Sequence, residues 1–171
     1  LLGANISFSS DNSNKDKENI HEYMRFSLKE FKNCAIALDY VYRLEEFHSS
    51  SIQFTGNRAL IRYLNKSLPL IFIENELGTK GLMIKERVGH SKEVMNVLVV
   101  KVQDNLFGIV IEDLGDIAST HDNIDYNMSD RDEVLGTVTI DDQIISVLNI
   151  ESLVGINKGH LRFNNFDKNV A

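Results

Sequence analysis

The sequence predicts a mostly-β protein built from two similar antiparallel units, each of four or five short strands. Short apolar runs rich in Val and Ile alternate with polar residues, whereas helical periodicity is almost absent. Polar turn residues separate these runs at short intervals. A ten-residue sequence pattern, called the duplicated phrase below, also recurs. PLIFIENELG begins at Pro69, and SVLNIESLVG begins at Ser146 in the second half of the chain; in each, an apolar run is followed by Ile-Glu, a leucine and a glycine. These three observations favour a duplicated β structure.

Strand patterns account for most of the first half. YMRFSL, starting at Tyr23, alternates apolar and polar residues with the period of a half-buried strand. CAIALDYVYRLEEF, starting at Cys34, supplies one or two more strands. RALIRYLNKSLPLIFI predicts a hairpin that turns at Asn65–Ser67. Pro69 is the only proline, and its missing N–H predicts an edge position for its strand.

The second half repeats this order. VMNVLVVKV, the turn QDN and LFGIVIEDLGDI predict a hairpin, and VLGTVTIDDQIISVLNI predicts another that turns at Asp141-Asp142. ESLVG then reads as one helical turn stopped by Gly155. The two halves correspond at offsets of roughly 70 to 77 residues. Two small barrels are the economical fold for such units, because closure removes exposed strand edges.

The repeat also bears on chemistry. Glu74 and Glu151 occupy matching positions in the two phrases, so they are interpreted as equivalent strand ends rather than as a catalytic pair. The predicted organisation is a leader or linker at 1–22, which could include the end of a neighbouring domain, and one folded domain at 23–171. Within that domain we expect a first-half barrel at about 23–78, a second-half barrel at about 92–155 and a C-terminal tail at 156–171.

Composition excludes several classes of protein. The 171 residues are 43% hydrophobic and 25% charged, as expected for a globular chain. A net charge of -7 disfavours nonspecific binding to nucleic acid or anionic membranes. Cys34 is the only cysteine and cannot form an internal disulfide, and no apolar run is long enough to span a bilayer. The expected location is therefore the cytoplasm.

No pattern in the sequence indicates catalysis, a cofactor or a metal. The five histidines are widely separated along the chain without metal-ligand spacing, and a lone cysteine cannot complete a zinc site. The glycines of 78–89 lack the ending and the helix that phosphate binding requires. Paired acids such as Asp141-Asp142 fit turns, where Asp hydrogen-bonds its own backbone. Cys34 leads an apolar strand, which favours burial over reactivity.

Charge on the first-half hairpin points to an interaction surface. Arg58, Arg62, Tyr63 and Lys66 form a modest basic and aromatic cluster there. In a chain of charge -7 this cluster is a better candidate for protein contact than for nucleic acid. Function is therefore expected to lie in surfaces.

Four ordered segments then carry a family resemblance. FKNCAIALDYVYRLEEF, RALIRYLNKSLPLIFIENELG, VLVVKVQDNLFGIVIEDLGDI and VLGTVTIDDQIISVLNIESLVG resemble the CheW-like family of bacterial chemotaxis. The resemblance implies two intertwined small SH3-like β-barrels with short helical turns. It also implies a non-catalytic regulatory scaffold that docks a histidine kinase to the CheW adaptor and to the cytoplasmic tips of chemoreceptors, and so associates with membrane receptor arrays through these partners.

Within the family, IALDYVYRLEEF and the tail INKGHLRFNNF look more like the regulatory domain of the kinase CheA than like a free-standing CheW-type coupling protein. The resemblance then implies that the leader at 1–22 is the tail of a preceding kinase domain followed by a linker. One departure stands out, because Leu64 occupies the arginine position of the family's LRG turn. The resemblance implies candidate contact residues at Val41, Arg43, Leu64 and Lys66, although core packing explains Val41 equally well. The alternative from another class is an enzyme or small-ligand barrel that uses a cleft between the halves.

Overall fold

The computed structural model describes residues 19–29, 31–56, 58–73 and 94–155. Within these ranges the backbone forms eleven strands and one α-helix of four residues. Their bounds are β1 His21–Ser27, β2 Cys34–Ala37, β3 Val41–His48, β4 Gln53–Thr55, β5 Arg58–Tyr63, β6 Lys66–Ile71, β7 Val94–Val102, β8 Asn105–Ile111, β9 Asp113–Thr120, β10 Val134–Ile140, β11 Gln143–Leu148 and α1 Ile150–Leu153. Single 3-10 turns lie at Leu38–Tyr40, Ser49–Ser51 and Tyr126–Met128.

The strands form two sheets that share both halves of the chain. The five-stranded sheet has the order β10-β11-β2-β1-β9, and the six-stranded sheet has the order β3-β7-β8-β6-β5-β4. Neighbours are antiparallel except β11–β2 and β6–β8, which pair in parallel. Each parallel pair joins a strand of one half to a strand of the other. The predicted mostly-β, intertwined fold is therefore confirmed, although the strands of neither sheet come from one half alone.

The repeat in the sequence is also a repeat in topology. Exchanging β1-β2 with β7-β8, β3 with β9, and β5-β6 with β10-β11 converts one strand order into the other, leaving only β4 unmatched. At the two joins Val147 pairs with Ala35 and Leu70 pairs with Gly108, and Leu70 and Val147 are matching positions in the two duplicated phrases. Ala35 and Gly108 are therefore equivalent positions. The duplicated phrases lie on the two strands, β6 and β11, that make these joins.

Three hairpins turn on two residues that both have positive φ. This is the type I′ geometry, whose twist matches that of the flanking strands. The turn pairs are Leu64-Asn65, Gln103-Asp104 and Asp141-Asp142. The Asp141-Asp142 turn was predicted correctly, and the QDN turn was correct except for Asn105, which already begins β8. The prediction of Asn65–Ser67 was wrong by one residue, because Lys66 and Ser67 already belong to β6.

Pro69 corrects a second expectation. Its strand, β6, lies between β5 and β8, so it is not an edge strand. The ladder to β8 begins only at Leu70, and Pro69 pairs with Leu60 of β5. The side of β6 that faces away from β5 is thus still unpaired at Pro69, and a residue without an N–H is tolerated there.

Buried side chains form three clusters. One contains residues from every strand of the five-stranded sheet, and another is lined by residues of the six-stranded sheet, so each sheet wraps around a core of its own. The largest cluster contains residues of both sheets together with α1. Phe26 and Leu28 of the first predicted strand are buried in this central core, and Met24 packs against it. The central core therefore locks the two barrels together.

The helical turn predicted at ESLVG is present. Its helix, α1, begins after Asn149, whose side chain accepts a hydrogen bond from the Ser152 N–H at 3.2 Å. Gly155 follows the helix with φ of 82°, a value that favours glycine. Glu151 accepts a hydrogen bond of 3.3 Å from the Tyr40 hydroxyl, whereas Glu74 lies outside the described residues. Among the described residues, no helix is long and apolar enough to cross a membrane.

Candidate protein-docking site

The β5–β6 turn forms one end of the six-stranded barrel. Leu64 lies at its apex with 61% of its surface exposed, although its φ of 47° is unusual for a bulky residue. Lys66 begins β6, is exposed, and pairs across the hairpin with Tyr63. The turn thus presents an apolar side chain to solvent beside a cation.

Side chains of β3 hold this turn in place. The Tyr63 hydroxyl donates a hydrogen bond of 2.8 Å to Glu45 Oε1, and Arg43 Nε lies 3.2 Å from the same oxygen. The Phe47 and Tyr63 rings meet edge to face, with centroids 6.0 Å apart and an angle of 86°. Because β3 and β5 are not neighbours in the sheet, these contacts close the barrel.

Burial and the hydrogen bond to Glu45 both favour the protonated form of the Tyr63 hydroxyl and raise its pKa. Desolvation, followed by the hydrogen bond to Glu45, raises the pKa of Tyr63, whereas the nearby charge of Arg43 opposes this effect. Tyr42 also acts to raise this pKa, so the two tyrosines lie within electrostatic range of each other. Tyr63 therefore remains a donor to Glu45 throughout the neutral pH range.

The structure brings together three of the four residues singled out from the sequence. Arg43 reaches the turn through Glu45 and Tyr63, and Leu64 and Lys66 follow directly along the hairpin. Val41 lies elsewhere, because it is half-buried, pairs with Val100 and packs against the central core. At Val41 the structure therefore matches the core-packing alternative.

Two residues at this end, Glu45 and Tyr42, were missed by the sequence reasoning, whereas Tyr63 was already part of the predicted basic and aromatic cluster. Glu45 and Tyr63 position the turn, and Tyr42 adds a ring that is 49% exposed. A signal existed for Glu45, because residues two apart in a strand share a face and Arg43 is its neighbour on that face. We call Tyr42, Arg43, Leu64 and Lys66 the barrel-end surface.

The described residues give little support to the reading as a ligand-binding barrel or enzyme. A cleft of about 140 Å³ lies beside β1, the β1–β2 loop and β9. Both of these strands belong to the five-stranded sheet, so this cleft does not lie between the barrels. It is also smaller than the roughly 300–1,000 Å³ typical of ligand pockets.

Reactive and metal-ligating side chains do not converge in the described part of the chain. No group of three or more His, Cys, Asp or Glu residues there is arranged to hold a metal ion. Cys34 is buried, and burial raises the pKa of its thiol to about 11, so it is a weak nucleophile. His48 Nδ1 lies 3.1 Å from Ser50 Oγ on the surface.

Two interlocked barrels with an exposed apolar and basic end are the arrangement that the structure offers as a candidate docking site. Comparison with known proteins identifies the class more closely. The family model described as CheW-like domain matches residues 22–157, which is most of the chain. The chain therefore belongs to the CheW-like domain family and is a non-catalytic scaffold domain of chemotaxis signalling, with other chemotaxis proteins as the expected class of partner.

A solved structure agrees in fold. The scaffolding protein TtCheW from Thermoanaerobacter tengcongensis matches with a TM-score of 0.60 and 18% identity, covering 83% of this chain and 97% of that chain. At this identity the match concerns the fold alone. A search of curated proteins found no match.

Proposed function

We propose that this chain is the CheW-like regulatory domain of a chemotaxis histidine kinase of the CheA type. In this role it docks the kinase to a CheW-type adaptor and to the tips of chemoreceptors in the cytoplasm, and it carries no cofactor. The sequence IALDYVYRLEEF, which spans β2 and β3, supports the kinase assignment because it resembles the kinase version of the domain.

The exposure of Leu64 is the observation that carries the docking role. A leucine that is 61% exposed and held in a strained turn contributes nothing to the core of its own barrel. Burying it against a partner stabilises a complex by about 1–2 kcal/mol. Lys66 follows it in the hairpin and Arg43 is connected to the turn through Glu45 and Tyr63, and such charges favour specificity and the rate of encounter more than raw affinity.

Docking at a rigid end suits the transmission of a signal. Tyr63 and Glu45 fix the turn before any partner arrives, so little conformational freedom is lost on binding. A second contact, along the groove between the barrels, engages the receptor tip. Because both partners then contact the same interlocked domain, a change in receptor state biases autophosphorylation on the kinase domain.

The direct test is calorimetric titration of the purified chain with a CheW-type adaptor from the same genome. The proposal predicts saturable binding at micromolar concentration. If no binding is detected at about 50 μM, where a micromolar complex would be saturated, the docking role is contradicted.

A second candidate is a free-standing coupling protein, because TtCheW, which shares the fold, is described as a scaffolding protein. Such a protein would bind the regulatory domain of the kinase. A parallel titration with that domain separates the candidates, because tighter binding to the kinase domain than to the adaptor would favour the coupling protein. Reading the gene upstream of Leu1 for an ATP-binding domain provides an independent check.

A further inference from the structure

Arg25 lies at a position whose equivalent in the other half of the chain is an apolar residue, Val99. Arg25 of β1 pairs with Ala35, and the equivalent pair in the other half is Val99 with Gly108. Val99 is fully buried in the core of the six-stranded barrel. The side chain of Arg25 is 21% exposed, so the five-stranded barrel holds a half-buried arginine at this point.

The guanidinium of Arg25 joins three parts of the five-stranded barrel. Its Nη2 donates a hydrogen bond of 2.9 Å to Gln143 Oε1 at the start of β11. Its Nη1 lies 3.4 Å from Asp116 of β9 and 3.9 Å from Asp141 in the β10–β11 turn. Strand β1 is thereby tied to β9 on one side and to the hairpin turn on the other.

The backbone fixes the approach of β9. The register between β1 and β9 shifts between Met24 and Phe26, at the level of Arg25. A Cβ on Gly115 would lie 2.9 Å from the carbonyl oxygen of Arg25, which is closer than real Cβ atoms come to backbone. Glycine therefore lets β9 approach closely and carry Asp116 to the guanidinium.

The equivalent end of the six-stranded barrel closes by different chemistry. Asp141 and Gln143 match Leu64 and Lys66 when the duplicated phrases are aligned. In each pair the first residue lies in the two-residue turn and the second begins the next strand, so the two turns correspond. At the Leu64 end, the hydrogen bond from Tyr63 to Glu45 and the contact between the Phe47 and Tyr63 rings make the closure. The ion pair between Arg43 and Glu45 also lies at this end, but both residues belong to β3, so this pair does not bridge the closure.

We infer that Arg25 is an ionic clasp that holds the β10–β11 turn against β9, and that it makes the five-stranded barrel open in response to salt while the six-stranded barrel stays closed. The carboxylates of Asp116 and Asp141 are 68% and 81% exposed, so mobile ions reach them readily. Screening weakens exposed ion pairs strongly, and hydrogen-bonded or apolar closures much less. Opening at this end is a local event that does not require global unfolding.

Hydrogen exchange of the whole chain, followed by mass spectrometry, tests the clasp. The comparison uses about 0.05 M and about 0.5 M NaCl, between which the Debye length falls from roughly 14 Å to about 4 Å. In the wild-type protein we expect exchange in β9 and the β10–β11 turn to rise about threefold to tenfold with salt. The β5–β6 turn is the internal reference and should change little.

Arg25→Met keeps the aliphatic stem but removes the charge. We expect it to exchange rapidly at β9 and the β10–β11 turn already at low salt, with no further response to salt. A purely packing role for Arg25 would leave the salt response intact and would overturn the inference.

If Arg25→Met does not fold, the double variant Asp116→Asn/Asp141→Asn carries the test, because both side chains are mostly exposed. Exchange like that of Arg25→Met supports the clasp. Exchange like that of the wild type, with the wild-type salt response, overturns it.

Discussion

Leu64 combines backbone strain with exposure, and this combination separates its effect on stability from its effect on binding. A bulky residue at φ of 47° pays a conformational cost that Asn avoids, since Asn visits this region readily. In the folded monomer the side chain has little to pack against, because it is 61% exposed. The residue is therefore expected to cost stability and to contribute to binding.

Leu64→Asn should accordingly raise the free energy of unfolding by about 0.5–1 kcal/mol. Urea denaturation followed by circular dichroism measures this change. A loss of stability would mean that Leu64 packs inside the monomer, and that its exposure does not reflect a docking role.

Cys34 is the second residue with a defined chemical expectation. Its pKa rises from 9.0 to about 11 because burial disfavours the thiolate. Alkylation by iodoacetamide at pH 8 should be on the order of 100-fold slower in the folded protein than in urea, since the reactive form is that much scarcer. Equal rates in the folded and unfolded protein would contradict burial of the thiol.

The raised pKa of Cys34 makes the stability of the protein depend on pH. The unfolded chain loses its thiol proton near pH 9.0, whereas the folded chain keeps it until about pH 11. Stability linked to Cys34 is thus complete below pH 9.0 and is lost as the pH rises towards 11. Cys34→Ala should flatten that part of the curve of stability against pH.

At the scale of elements, the two parallel joins set the architecture. Gly108 lies at one of them, and a Cβ there would come within 2.7 Å of Val97 and 2.8 Å of Leu70. Its equivalent at the other join is Ala35, also a small residue and fully buried. Both joins therefore require a small side chain where a strand of one half meets a strand of the other.

Gly108→Leu should destabilise the protein by about 2–3 kcal/mol, because a large side chain overpacks the join. Gly56→Ala is the matched control, since nothing lies within 4 Å of its added Cβ and only its φ of 60° is strained. We expect the control to lose about 1 kcal/mol. Denaturation midpoints of the two variants that fall in the reverse order would contradict the packing argument.

Local patterns predicted the elements well, and failed where partners come from distant sequence. The QDN and Asp141-Asp142 turns follow from turn residues between apolar runs. The edge position of Pro69 was wrong because its neighbour β8 belongs to the other half. The clasp could not be foreseen either, since Arg25 and Gln143 are far apart in the sequence and meet only in the folded barrel.

The candidate site could be predicted only where its residues follow from local sequence patterns, and not where they meet through closure of the barrel. Leu64 and Lys66 stand out in a single hairpin, and Arg43 lies on a neighbouring predicted strand. Their connection through Glu45 and Tyr63 depends on closure of the barrel, which strand patterns do not reveal. Val41 could not be assigned from the sequence. An apolar residue in a strand gives the same pattern whether it packs in the core or contacts a partner.

For the whole molecule, strand exchange makes each half dependent on the other. The five-stranded sheet takes β1 and β2 from the first half, and the six-stranded sheet takes β7 and β8 from the second. The central core likewise draws on both sheets. A duplicated unit of this kind is no longer an independent domain.

Cutting the chain between Ile73 and Val94 should therefore give two fragments that do not fold alone. Mixed in equal amounts, they should regain β structure, since every strand is then present. Dispersed amide signals in the NMR spectrum of either isolated fragment would show that a half folds independently, against this account.

Docking through the barrel-end surface, which includes Leu64, is the central claim, and one titration tests it most directly. The adaptor is titrated into wild type, Leu64→Asn and Ile144→Asn, where Ile144 is a matched control that is 68% exposed on β11 of the other barrel. We predict that Leu64→Asn weakens binding about tenfold while Ile144→Asn binds like the wild type. Unchanged affinity in Leu64→Asn would contradict the claim.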